Sequence, residues 1–129
     1  MSETRKDLYE QGMKIRRAVV GDTYVDKTMA GIDDFNRDLQ NLVSEYCWGA
    51  VWGRPGLARR DRSILNLGML AALNRGTEFK THVRGALANG LSRDEIKEII
   101  MQIAIYVGVP ASLEATRWAK EAFAEEDKK

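Results

Sequence analysis

Apolar residues recur along most of this chain at the three- and four-residue spacing of amphipathic helices, and the two-residue alternation of strands is nearly absent. Residues 4–18 form a polar, helix-compatible segment that Gly21 interrupts, and "TYVDKTM" is a short second element or a structured connection. Asp33 or Asp34 then stands where an N-cap belongs. After it, Phe35, Leu39, Leu42, Val43 and Tyr46 fall on one helical face and are expected to point inward. The run ends in "CWGAVWGRPGL", because glycine and proline are poor interior helix residues.

A second half follows the same logic. From Arg59 to Asn74, Ile64, Leu65, Leu67, Met69, Leu70 and Leu73 surround the helix axis, which predicts a central helix buried all round. From Thr77 a helix carries Phe79, Val83, Ala86 and Leu87 inward and stops at Asn89-Gly90. Ser92 and Glu95 form a capping-box pattern. Ile96, Ile99, Ile100, Ile103 and Val107 stripe the helix it opens. Gly108-Val109-Pro110 breaks that helix, and Pro110 suits the first turn of a last one, with Ala111, Ala115, Trp118 and Ala122 inward and "EEDKK" as a solvated tail. With no linker or repeat, the expectation over 1–129 is one all-α domain, a helical bundle of about six helices.

Charge narrows the function. Twenty basic and nineteen acidic residues leave a net charge of +1 with interspersed signs, which argues against nucleic acid as a partner. No apolar run reaches the roughly 18 residues of a membrane span. The N-terminus lacks a signal-peptide layout, so a cytoplasmic, membrane-independent protein is expected. One cysteine and one histidine exclude an intrachain disulfide and the common His/Cys zinc sites, so no metal is expected.

Few side chains remain for chemistry. His82, the sole histidine, lies at the edge of its helix's apolar stripe with Glu78 one turn earlier, where a carboxylate would favour the imidazolium. The ring is either a catalytic group or a boundary residue packed for stability. Glu45 is either a half-buried acid facing a pocket or a solvated helix residue. Arg54, Arg59, Arg60 and Arg62 cluster near the start of the central helix, where a planar guanidinium and the helix N-terminus both suit a carboxylate. Arg62 adjoins the apolar run and is the strongest of the four; at least two others are expected to form surface pairs. Tyr106 is expected to carry a hydroxyl into apolar surroundings. Cys47 is expected to be a buried, inert thiol. Trp48 and Trp52 either wall a site or plug the end of a bundle.

The segments "GMKIRRAVVGDTYVD", "EYCWGAVWGRPGLARRDRSILNLGML" and "ALNRGTEFKTHVRGALANGLSRDEIKEIIMQIAIYVGVPAS" together resemble the carboxymuconolactone decarboxylase family, from about Tyr9 to Ala122. The resemblance implies an alkylhydroperoxidase D-like fold. In the redox members of that fold a CxxC precedes the histidine by four; here Glu78 and Arg75 occupy those positions, which excludes disulfide-linked peroxide reduction. The implied activity is decarboxylation, in aromatic-compound catabolism, of a small unsaturated lactone bearing two carboxylates. Such a lactone is its own electron sink, so no cofactor is implied. The implied roles are His82 as leading acid with Glu45 as its alternate, and Arg62 or Arg54 gripping the retained carboxylate. His82 or Tyr106 serves the oxyanion, Glu78 orients the ring, and Trp48 and Trp52 form apolar walls. A homo-oligomer, trimer or hexamer, is also implied. The alternatives are a relative acting on a related lactone and a catalytically silent helical assembly.

Overall fold

The structure, a computed structural model, describes residues 2–129. Seven α-helices and one π-helix make up its elements, with no strand among the described residues. The order is α1 (Ser2–Val20), α2 (Asp22–Ala30), α3 (Arg37–Leu42), a π-helix (Val43–Val51), α4 (Arg59–Ala72), α5 (Gly76–Ala88), α6 (Arg93–Tyr106) and α7 (Val109–Asp127). The all-α expectation holds. The helices gather into two compact units, the first ending at Leu57 and the second spanning Ala58–Lys129.

In the first unit, "TYVDKTM" resolves as helix α2, entered through Gly21 at a φ of 93°. The N-cap of α3 is Asn36 rather than the expected Asp33 or Asp34; the Asp33 carboxylate closes the turn before it, accepting from the amides of Phe35 (2.9 Å) and Asn36 (3.2 Å), while Asn36 Oδ1 accepts from the Asp33 amide. α3 continues into the π-helix, whose wider turn is closed by bonds such as Trp52 N–H to the Cys47 carbonyl at 2.9 Å. Most of the stripe expected inward points outward instead: Phe35 is 97% exposed, and Leu39, Leu42 and Tyr46 are exposed too, while Val43 alone of the five packs against the core. Ser44, Glu45, Trp48 and Gly49 are buried in their place.

The reason lies in how closely α1 and the π-helix approach. A Cβ on Gly12 would overlap the Ser44 carbonyl, and one on Gly49 would overlap the Leu8 carbonyl. Backbones this near admit only small residues, so Ser44 and Gly49 face α1 and the larger apolar residues turn away. Ile15, Val19, Val20 and Val25 complete the unit's core around Trp48 and Trp52, whose rings stack with centroids 4.9 Å apart.

The second unit packs Leu67, Phe79, Val83, Ala86, Ile96, Ile103 and Trp118 into one core. α5 ends at Asn89, with Gly90 at a φ of 98°. The capping box is present as read: Ser92 Oγ accepts from the Glu95 amide and the Glu95 carboxylate accepts from the Ser92 amide, both at 3.0 Å. Pro110 sits in the first turn of α7.

Three expectations are corrected in this half. α4 is not buried all round: Leu67 and Ala71 face the core, but Leu65, Met69 and Leu73 are exposed, because α5, α6 and α7 cover one side of it. Tyr106 is 82% exposed rather than immersed in apolar surroundings. Ile105 and Val109 are exposed beside it in the chain, so the end of α6 and the start of α7 leave the core together. The C-terminal segment expected as a tail is helical as far as Asp127, where Arg84 pairs with Glu125 (2.8 Å) and Arg93 with Asp127 (2.6 Å).

Candidate active site

The first unit contributes Glu45, and the π-helix presents it. Glu45 is 6% exposed and accepts a charge-assisted bond from Arg5 Nε at 3.0 Å. It lines a cavity of about 320 Å³ together with Arg5, Lys6, Tyr9 and Asn41. Of its two readings, a pocket-facing acid and a solvated residue, the geometry supports the first. Trp48 and Trp52 belong to the unit's buried core, so both rings contribute to packing. Arg54 is exposed on the turn beyond, its amide bonded to the Val51 carbonyl at 3.1 Å. Cys47, expected buried, is exposed; partial burial of its sulfur still pushes the thiol pKa up, which favours the unreactive thiol.

Arg16 was missed by the sequence reading. It is 6% exposed, with Nη1 donating to Ser44 Oγ and Nη2 to Gln40 Oε1, both at 3.2 Å. Burial lowers its pKa, because these partners are neutral. Its position one turn after Gly12, between apolar Ile15 and Val19, was the available signal.

The second unit contributes His82, half-buried on α5 between the fully buried Thr81 and Val83. Its pKa moves opposite to the expected direction. Burial pushes it down from 6.5 to about 4, whereas a dominant Glu78 carboxylate would have raised it. Glu78 itself is exposed at the first turn of α5. The imidazole is therefore neutral at pH 7. Asn66 on α4 places its Nδ2 3.4 Å from His82 Nδ1.

This shift has a consequence for stability. Between pH 6.5 and about 4 the unfolded chain binds a proton at His82 that the folded chain refuses. Stability therefore falls as pH drops through that window. Glu95, held down to about 2 by Arg60 and then by the Ser92 amide, loses its contribution lower, between 4.5 and about 2. Thermal melts of the parent and His82→Gln from pH 7 to 4.5 should show the steeper decline in the parent; parallel curves would exclude His82 as the cause.

Arg62 is half-buried in the first turns of α4. Arg60 is committed elsewhere, bidentate to Glu95, which accords with the expectation that some of these arginines form structural pairs. Tyr106 borders an open groove of about 440 Å³ between α4 and α6, lined also by Leu65, Met69 and Ile99. Among the described residues no three His, Cys, Asp or Glu side chains gather into a set that could hold a metal ion. No helix among them is long and apolar enough to cross a membrane. Of the charged candidates, Glu45 and Arg54 belong to the first unit and Arg62 and His82 to the second.

Comparison with known proteins places these residues in a family context. The chain is 42% identical over 115 residues to a 4-carboxymuconolactone decarboxylase of Acinetobacter baylyi, covering 89% of this chain and 86% of that protein. It is 39% identical over 113 residues to a nitrosuccinic acid decarboxylase of Metarhizium robertsii, covering 88% of this chain and 79% of that one. A 4-carboxymuconolactone decarboxylase sequence of Pseudomonas putida matches over 44 residues at 39% identity, 34% of this chain and 92% of that sequence. The family model for carboxymuconolactone decarboxylases matches residues 37–121, a span running from α3 through most of α7 and taking in Glu45, Arg62 and His82. This chain belongs to the carboxymuconolactone decarboxylase family.

Proposed function

We propose that this chain is a carboxy-lyase that converts 4-carboxymuconolactone to 3-oxoadipate enol-lactone and carbon dioxide without a cofactor, a cytoplasmic step in the protocatechuate branch of aromatic catabolism. The observation that carries this reading is the 42% identity to the Acinetobacter enzyme over nearly nine-tenths of the chain.

The chemistry asks little of a protein. The carboxylate to be lost sits on a ring carbon joined through a double bond to the lactone carbonyl. As its C–C bond breaks, the electron pair moves through that double bond onto the carbonyl oxygen, and carbon dioxide leaves. A proton then adds to the carbon α to the carbonyl, and the carbonyl re-forms. Three tasks follow: gripping the retained carboxylate, meeting the developing oxyanion, and delivering the proton.

Arg62 is assigned the grip, because a half-buried guanidinium near a helix N-terminus is screened less than the exposed Arg54. His82 is assigned the oxyanion. A neutral imidazole donates one hydrogen bond and strengthens it as charge develops, at no cost in prior protonation. His82 is given this role rather than that of leading acid because burial lowers its pKa to about 4. Delivery to carbon is assigned to water, and Glu45, whose carboxylate accepts from Arg5 Nε within the first unit, is the alternate acid. Tyr106 and Glu78, both exposed, receive no role. A homo-oligomer is part of the same reading, supported by the exposed Leu65, Met69 and Tyr106 along the α4–α6 groove.

A second reading has its own support in the fungal relative, whose name specifies nitrosuccinic acid. A nitro group next to the departing carboxylate accepts an electron pair as the lactone carbonyl does, so one set of residues suits either sink. Steady-state kinetics on both compounds decides between them. A higher kcat/KM for the lactone is expected; a preference for nitrosuccinate would move the assignment to the second substrate.

A further inference from the structure

We propose that the cavity of the first unit is a binding site for a small organic acid, whose carboxylate is met by Arg5 and Lys6. Arg5 and Tyr9, four residues apart, share a face of α1 with Lys6 beside them, and Asn41 and Glu45 join them from α3 and the π-helix. The enclosed volume, about 320 Å³, suits a small molecule. The form of the Arg5–Glu45 contact points to a further ligand. Elsewhere in this chain an arginine that neutralises a carboxylate closes its fork on it: both Nη groups of Arg60 reach Glu95, and both of Arg93 reach Asp127. Arg5 instead meets Glu45 through Nε alone, at 3.0 Å, and has no other partner among the described residues. The buried carboxylate thus anchors one edge of the guanidinium and leaves both Nη groups to donate elsewhere, the pair that holds a carboxylate with two parallel bonds.

Charge gives the ligand its sign. Two cations, Arg5 and Lys6, line the cavity against the one carboxylate of Glu45, and Lys6 forms no ion pair among the described residues. Arg16 adds positive potential from the protein side: it is buried, its hydrogen-bond partners Ser44 and Gln40 are neutral, and it lies within electrostatic reach of Tyr9. A buried charge is screened less than a surface one. The modest positive excess matches a carboxylate. A phosphate brings nearly two negative charges at pH 7 and would also face Glu45, so it fits less well. The Tyr9 hydroxyl and the Asn41 amide are donors for the acid's other oxygens. Arg5, Lys6 and Tyr9 precede the span 37–121 that the family model matches, so half of this site belongs to the chain's own N-terminal helix.

Succinate and inorganic phosphate are the probes, titrated into the full chain while backbone amide resonances are followed. Succinate should give saturable shifts centred on Tyr9 and Asn41, and phosphate weaker ones. Arg5→Ala and Lys6→Ala, both at exposed positions early in α1, should each weaken succinate binding by about tenfold, the worth of a charge-assisted hydrogen bond. Arg5→Lys keeps the charge without the fork and should fall between the parent and Arg5→Ala. Arg117→Ala, which removes an exposed arginine paired with Glu114 and Glu121 on α7, should leave binding unchanged. No saturable shift at Tyr9 and Asn41, an affinity unmoved in both alanine variants, or phosphate bound more tightly than succinate would overturn the proposal. Should a variant fail to fold, the titration of the parent alone still decides. The source of the carboxylate is read from succinate inhibition of lactone turnover. Competition that weakens in Arg5→Ala makes the reacting molecule the occupant; shifts at Tyr9 and Asn41 without competition make it a separate acid. Binding is measured without turnover, so failure of this site and failure of the proposed decarboxylation are told apart.

Discussion

Replacing His82 with alanine lowers kcat for lactone decarboxylation by about 10²- to 10³-fold, the cost of losing one preorganised oxyanion donor. The helical circular dichroism should be retained, because the ring is half-buried at the border of the α5 stripe while Phe79, Val83 and Ala86 carry the packing. The sign of the pKa shift sharpens the prediction. An enzyme using His82 as an imidazolium would lose activity as pH rises through the histidine range. A neutral donor with a pKa near 4 predicts a kcat that is level there. Rates equal to the parent's in the alanine variant would remove His82 from the chemistry, and a rate declining between pH 6 and 7.5 would restore it as an acid.

The second large effect falls on stability. Gly12→Ala should destabilise the chain by about 3 kcal/mol, near the upper end for overpacking. The new methyl would meet the Ser44 carbonyl oxygen and carbon and the Gly49 nitrogen, all backbone atoms with no rotamer to yield. Relief requires α1 and the π-helix to separate, which loosens the segment that presents Glu45 and loses activity as well. Gly68→Ala is the matched control. Nothing lies within 4 Å of a Cβ there, and the site is inside α4, so alanine should stabilise by about 0.5–1 kcal/mol. Chemical denaturation distinguishes the pair; two glycines behaving alike would show that the close helix approach is not the cause.

Local chemistry is legible in the sequence, and close approach between distant segments is not. The α6 cap was legible because its chemistry is local: Ser92 and Glu95 bond each other's backbone whatever else the chain does. His82, as the sole histidine, was an evident candidate, and its place at the edge of the α5 stripe follows from periodicity. Glu78 is one turn away in sequence and exposed, while Asn66, sixteen residues earlier, brings its side chain within 3.4 Å of the ring, a contact that spacing on one helix does not show. The α3 stripe failed for a different reason. Ranking positions by hydrophobicity puts Phe35 and Leu39 inside, yet the surface offered by α1 is the bare backbone around Gly12, and only small residues approach it. The π-helix has no period-3.6 signature, so the burial of Glu45 could not be read from spacing. Exposure of Tyr106 and Leu65 was likewise hidden, since apolar patterning shows what prefers to be covered and not what covers it within one chain.

The family resemblance carried further than any single residue, because it drew on "HVRGALANG" and "WGRPGL" jointly where each alone is a modest signal. What it conveyed was the reaction; the structure adds the burial that lowers the His82 pKa, the nearness of Asn66 to its ring and the buried Arg16.

The claim beneath all of this is that the lactone accepts its own electron pair, leaving ordinary side chains to do the rest. Carbon dioxide release by purified protein, dialysed exhaustively against a metal chelator and stripped of small molecules, tests it directly. Turnover equal to that of untreated protein is the expected result; activity lost on dialysis and regained only with a metal ion or coenzyme would contradict it.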